Sequence, residues 1–281
     1  MKHKQPLTAG YVCNLTASSE KPINRIMVGI PMTGTLRSEW VMARYGQIIP
    51  CNWGQVDCIQ WLDQFSPMQF SVADARNAIA TKAVEDKFEW LFFIDHDVVL
   101  PPVTLLRLND YMLKKDIPIV GGVYFTRSAP AEPLIYRGRG NSYFTNWKFG
   151  EKVWVDGMGL GCHLIHVSIL KALYDESESY NLQGSVVRRI FETPAKCWFD
   201  PETMGWQSCV GTEDLAFYTR IMKNDIFRKA GWQKIAKKKY PFLCDTGIFC
   251  KHIDWDGVQY PARGEEMAFV SETDKGILGI K

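Results

Sequence analysis

The sequence predicts an α/β fold: a mixed, mainly parallel sheet flanked by helices. Apolar runs of strand length alternate with amphipathic stretches of helix length through the first half of the chain. One of those runs, Trp90-Leu91-Phe92-Phe93-Ile94, stops abruptly at Asp95-His96-Asp97. An unbroken apolar run reads as a strand buried on both faces, and the carboxyl edge of such a sheet is where ligands are held. With 281 residues, 46% of them hydrophobic, the chain is large enough to bury the core this sheet needs.

Arg25-Ile26-Met27-Val28-Gly29-Ile30 reads as the first strand, broken by Pro31 and Gly34, with a helix near Ser38 to Tyr45. Ser71-Val72-Ala73-Asp74 has the spacing of a capping box and opens an Ala-rich helix through about Val84. The strand ending at Asp95 follows, then a helix to about Lys114 and the strand Ile117-Pro118-Ile119-Val120. The second half predicts shorter, antiparallel strands near Leu134-Tyr136, Tyr143-Lys148, Lys152-Val155 and Cys162-His166. A long helix from Thr212 to Lys229 comes next, with Thr212 as its cap and Gly231 as its stop. Residues 1–24 read as an N-terminal extension, 25–254 as the folded domain and 255–281 as a loop-rich lid or terminal wrap.

A net charge of +2 gives no reason to expect nucleic acid as a partner. The local basic excess at Lys234, Lys237, Lys238 and Lys239 reads as a solvated face. Eight cysteines without a Cys-x-x-Cys pair fit reduced thiols in a cytoplasmic protein, and Cys244, Cys250 and His252 match no common zinc spacing. No apolar run approaches the length of a membrane span or signal segment, so a soluble protein is expected.

Asp95 and Asp97 stand at i and i+2, so in extended chain both carboxylates face one side, as a hard divalent cation requires. The competing reading makes Asp95 the start of a turn and Asp97 the cap of the next helix.

Together these segments resemble the GT-A type nucleotide-diphosphosugar glycosyltransferases over residues 25 to 254. Ile30-Pro31-Met32-Thr33 resembles the nucleotide-contacting edge, and Asp74-Ala75-Arg76-Asn77 the helix start whose arginine reaches the donor. Asp95-His96-Asp97 resembles the DXD motif, and Gly211-Thr212-Glu213-Asp214 the acidic element of the family 2 inverting enzymes. Asp245 to His252 resembles the late strand that ends in a metal-binding histidine.

The resemblance implies metal ligation by Asp95, Asp97 and His252, and donor contacts from Pro31, Thr33, Arg76 and Asp95. It implies Asp214 as catalytic base, with Glu213 next in line, and a helix N-terminus is expected to favour the ionised form of Asp214. An imidazole ligand points to manganese rather than magnesium. The implied reaction moves a sugar, with inversion, from a nucleotide-diphosphosugar to a hydroxyl-bearing acceptor such as a glycan, lipid or protein. A nucleotidyltransferase of related fold and a non-catalytic carbohydrate-binding module are the alternatives. Gly157-Met158-Gly159-Leu160-Gly161 reads either as an acceptor-side approach of backbone or as a tight turn. Trp147, Trp154, Trp198, Trp206 and Trp255 are candidate sugar platforms or core residues.

Overall fold

The computed structural model describes residues 26–53, 65–138 and 143–269. The expected 1–24 extension and the part of the 255–281 segment after residue 269 lie outside the described residues.

The elements run β1 (Ile26–Gly29), α1 (Ser38–Tyr45), α2 (Val72–Glu85), β2 (Trp90–Ile94), β3 (Val98–Val99), α3 (Thr104–Lys114), β4 (Ile119–Val123) and β5 (Ile135–Tyr136). The chain continues through β6 (Lys152–Val155), β7 (Gly157–Met158), β8 (Cys162–His166), α4 (Val167–Glu176), β9 (Ser179–Leu182), β10 (Ser185–Arg188), β11 (Ala195–Asp200) and β12 (Gly205–Val210). The last elements are α5 (Glu213–Lys223), α6 (Ile226–Lys229), α7 (Gln233–Ala236), β13 (Phe242–Phe249), β14 (Lys251–Ile253) and β15 (Gln259–Tyr260).

Six strands form the central sheet in the order β1-β2-β8-β4-β13-β6. β1, β2, β4 and β13 share one direction, while β8 and β6 run against them. By direction the sheet is mainly parallel, as expected. By pairing it is not, because β8 lies between β2 and β4 and makes both of those ladders antiparallel.

Alternation along the strands divides the core into two layers. Leu91 and Phe93 of β2 point with Met27, Ile165 and Phe242 toward α2, α4 and α5, where Ile79, Leu170 and Phe217 meet them. Trp90, Phe92 and Ile94 point the other way with Val28, Leu164 and Leu243, toward Trp40 of α1 and Leu105, Leu108 and Met112 of α3. Gly29 lets α2 lie close to β1: a Cβ there would stand 2.4 Å from the Ile79 side chain. Helices on both faces of a mixed sheet make this an α/β fold.

Two local expectations change. The helix after Thr212 stops at Lys223, because Asp225 adopts the left-handed conformation (φ 54°) and restarts the chain as α6. Residues 143–148 are not a strand; Trp147 leaves the alternating pattern to stack on Phe269, with ring centroids 4.6 Å apart. The described part of the C-terminal segment packs on the body through that stack and through Phe149 N–H donating to Phe269 O at 3.0 Å. No described helix is long and apolar enough to cross a membrane.

Candidate active site

The four co-directional strands all end at one edge of the sheet, and the candidate residues gather there. β1 leads into Pro31 and Thr33, β2 into Asp95 and Asp97, β4 into Tyr124 and Arg127, and β13 through β14 into His252. Two helices also begin there: Ser71 accepts from Asp74 N–H at 3.2 Å to open α2, and Thr212 accepts from Leu215 N–H at 3.5 Å to open α5. A solvent-open cleft of about 540 Å³ results, lined by Pro31, Met32, Thr33, Phe70, Val72, Ala75, Arg76, Asp95, His96, Asp97, Glu213 and Asp214.

The turn after β2 is fixed by main-chain contacts. Asp95 N–H donates to Gly161 O at 2.9 Å, and Asp95 O accepts from the Trp40 indole at 2.8 Å and from Val98 N–H at 3.1 Å. A side chain at Gly161 would stand 3.0 Å from Asp95 Oδ2, so the glycine is needed for close approach to this turn. β3 pairs with β14, setting His252 opposite Val98, and Ile253 N–H donates to Asp97 O at 2.8 Å. The helix-cap alternative fails for Asp97: α3 begins after Val103 with no side-chain cap.

Asp95 and Asp97 then part company. Arg76, only 1% exposed, donates from Nη2 to both oxygens of Asp95 at 3.0 Å. Its Nε is 3.5 Å from Glu213 Oε1, and Nη2 is 3.9 Å from Asp214 Oδ1. Burial alone would lower the Arg76 pKa, but Asp95, Asp214 and Glu213 together raise it, so the guanidinium stays charged. Arg76, expected to contact a donor, is thus engaged within the protein while still lining the cleft. It ties three carboxylates together at the cleft wall, with Nη1 left without a hydrogen-bond partner.

Asp97 faces the other way. Its Oδ2 is paired with Arg127 Nη2 and lies 3.5 Å from His252 Nε2. His252 Nδ1 is 2.8 Å from Phe125 O, a carbonyl that can only accept, so Nδ1 carries the proton and Nε2 presents its lone pair. That lone pair accepts from Arg127 Nε at 3.1 Å, and Arg127 Nη1 lies 3.7 Å from Asp254 Oδ1. Burial works to raise the Asp97 pKa, but the groups around it, His252 first and then His96 and Arg127, outweigh it and leave the carboxyl below its usual range.

The donor set of Asp97 and the Nδ1-bonded His252 fits a divalent cation, since a ligating imidazole is oriented by a bond from its other nitrogen. Asp95, the third expected ligand, is held instead by Arg76. Among the described residues no group of three or more His, Cys, Asp or Glu side chains is arranged as a metal cage.

Asp214 departs from expectation in its ionisation. Its Oδ2 accepts from Leu160 N–H at 3.3 Å while Oδ1 is buried without a hydrogen bond. Burial raises its pKa well above the ordinary carboxylate value; Arg76 opposes this, while Glu213 and Asp95 add to it. Desolvation thus outweighs the helix N-terminus that was expected to favour the ionised form. Asp95 is shifted upward as well, by burial first.

Thr33 Oγ1 lies 3.1 Å from His96 Nε2 across the cleft mouth. The glycine segment packs against the site, with Gly161 N–H donating to the Tyr124 hydroxyl at 3.2 Å. Of the tryptophans, Trp147 is core, whereas Trp206 (73% exposed) and Trp198 project on the β11–β12 hairpin that ends just before Thr212, and Trp255 is 84% exposed. Arg127, Asp254 and Tyr124 belong to this site and carry no sequence signal; only pairing between distant strands brings them in.

No family model matches this chain, and no curated protein matches it. Among solved structures, the crystal structure of A197 from STIV is similar at a TM-score of 0.47 and 15% identity, over 84% of this chain and 90% of that one.

Proposed function

We propose that this chain is a GT-A type, metal-dependent glycosyltransferase. It moves a sugar from a nucleotide-diphosphosugar to a hydroxyl acceptor in the cytoplasm, with inversion and with manganese rather than magnesium. The observation that supports this most is convergence: Pro31, Thr33, Arg76, Asp95, Asp97, Glu213 and Asp214, drawn from four separated segments, line one cleft at the carboxyl edge of the sheet. The charge of the site supports a cation as well. Among the described residues of the site, the carboxyls of Asp95, Asp97, Glu213, Asp214 and Asp254 outnumber the guanidiniums of Arg76 and Arg127, an acidic balance that favours a cation as partner to a diphosphate.

A divalent ion bound at Asp97 and His252 would act as a Lewis acid toward the leaving diphosphate. The chain's own groups supply the rest. Arg76 ties Asp95, Glu213 and Asp214 together, so the base is positioned beside a buried group that cannot drift. Asp214, once ionised, is a stronger proton acceptor than an ordinary carboxylate and takes the acceptor hydroxyl's proton. Trp198 and Trp206, on the hairpin that ends just before Thr212, offer exposed ring faces for sugar stacking. Nucleotidyl transfer is less well supported, because Arg37, the basic residue of the loop after β1, is spent on Glu39 at 2.8 Å and the Trp255 carbonyl at 2.8 Å.

Thermal stability against nucleoside diphosphates, nucleotide sugars and triphosphates, each with manganese, magnesium or EDTA, tests the proposal. Donor at roughly 100 times its Kd adds about 2.7 kcal/mol to stability. A shift that requires one nucleotide diphosphate and metal together is the expected result. A shift with triphosphates alone, or with free sugars alone, overturns it in favour of nucleotidyl transfer or of a carbohydrate-binding module.

A further inference from the structure

Arg127 is a cation of the site held on its solvent side, with 38% of its side chain exposed against 1% for Arg76. Its guanidinium pairs with Asp97, donates from Nε to the lone pair of His252 Nε2 at 3.1 Å, and stands 3.7 Å from Asp254. Those are the atoms a divalent ion would use. A guanidinium and a metal ion cannot share them, since both are positive and both need the same lone pairs.

The loop that carries Arg127 is pinned by its own bonds. Thr126 N–H donates to Glu132 O at 2.9 Å, Glu132 N–H donates to Thr126 Oγ1 at 3.0 Å, and the Ser128 hydroxyl donates to Pro130 O at 3.0 Å. The backbone at 127 is thus fixed, and what can change is the side-chain rotamer. With 38% of that side chain exposed, rotation into water costs little desolvation, unlike any movement of Arg76.

We propose that Arg127 is a built-in competitor for the cation position: it neutralises Asp97 and occupies the His252 lone pair, and a divalent ion binds only by displacing it. The inference rests on the cation-dependent reading of the site and adds a regulator to it. Apparent metal affinity is the intrinsic affinity reduced by the fraction of molecules in which Arg127 has swung out. Metal alone then binds weakly.

The test is manganese titration of the full chain without nucleotide, read from the loss of the free-ion electron paramagnetic resonance signal. Arg127→Met keeps the aliphatic stem and removes the charge; binding about tenfold tighter than wild type is expected, as the closed fraction disappears. Arg127→Lys, which lacks the planar fork, is expected to fall between them, and Asp97→Asn to lose saturable binding. Thermal melts of each variant confirm that the fold is intact. Equal or weaker binding by Arg127→Met, or no saturable binding in any variant, overturns the proposal. Tighter binding by Arg127→Met in a protein that no nucleotide stabilises would uphold the competitor and sink the glycosyltransferase reading. A donor-dependent shift with unchanged metal binding would do the reverse.

Discussion

Two arginines stand on opposite sides of one turn, and the contrast between them explains how the cleft is built. Arg76 comes from the second turn of a helix in the core and is enclosed by Asp95, Glu213 and Asp214. Arg127 comes from a surface loop and reaches Asp97, His252 and Asp254. Each neutralises an aspartate of the same Asp-x-Asp step, yet one pair is walled in and the other borders water. Burial makes the difference: removing a partner from an enclosed pair strands charge, whereas a half-exposed pair can exchange its partner for solvent or another cation.

The largest effect should come from breaking the enclosed side. Arg76→Leu leaves Asp95, Glu213 and Asp214 buried without their cation and should cost about 3–5 kcal/mol in denaturant unfolding. A loss below about 1 kcal/mol would mean that the carboxylates find another partner, and the contrast would collapse.

Next comes chemistry on that side. Asp214→Asn should keep donor binding and lower transfer by roughly 10²–10⁴-fold. Because burial raises the Asp214 pKa, the wild-type rate should climb with pH through a limb above the ordinary carboxylate range, as the base loses its proton. A limb at the ordinary carboxylate position would reassign the base, with Glu213 first in line.

Acid provides a third probe. His163 lies buried beneath the site, with its Nε2 2.9 Å from the Tyr218 hydroxyl, and burial followed by the Arg76 charge pushes its pKa down to about 3. A depressed histidine contributes stability that is complete above its unfolded pKa, near 6.5, and drains away as pH falls toward 3. At pH 5 the loss should be on the order of 2 kcal/mol, measurable by denaturant unfolding across that window. His163→Gln should flatten that slope, and an unchanged slope would place the proton uptake elsewhere.

The smallest effect belongs to the open side: Arg127→Ala should change unfolding stability by less than about 1 kcal/mol. A larger loss would show that Arg127 is as structural as Arg76.

Much of this architecture is legible in the sequence because its signals are local. The Ser38–Tyr45 helix, the Lys152–Val155 and Cys162–His166 strands and the Ser71 and Thr212 caps all appear where periodicity and capping chemistry put them. The break at Asp225 does not, since no glycine or proline marks it. The insertion of β8 between β2 and β4 is a choice among long-range pairings that no window of sequence contains. The acidic motifs announce Asp95, Asp97, Glu213 and Asp214 as site residues but not which way each carboxylate faces. That depends on Arg76, whose motif pointed to a donor, and on Arg127, an unremarkable loop residue separated from His252 by 125 positions.

The strand order also bears on how the chain emerges from the ribosome. β4 pairs only with β8 and β13, both made after it, and one edge of β2 waits for β8. Until β8, which ends at His166, has been synthesised, the nascent first half holds open, apolar strand edges of the kind that recruit neighbouring chains. A fragment ending before β8 should therefore aggregate during translation, and slowing synthesis ahead of that strand should lower the yield of folded protein.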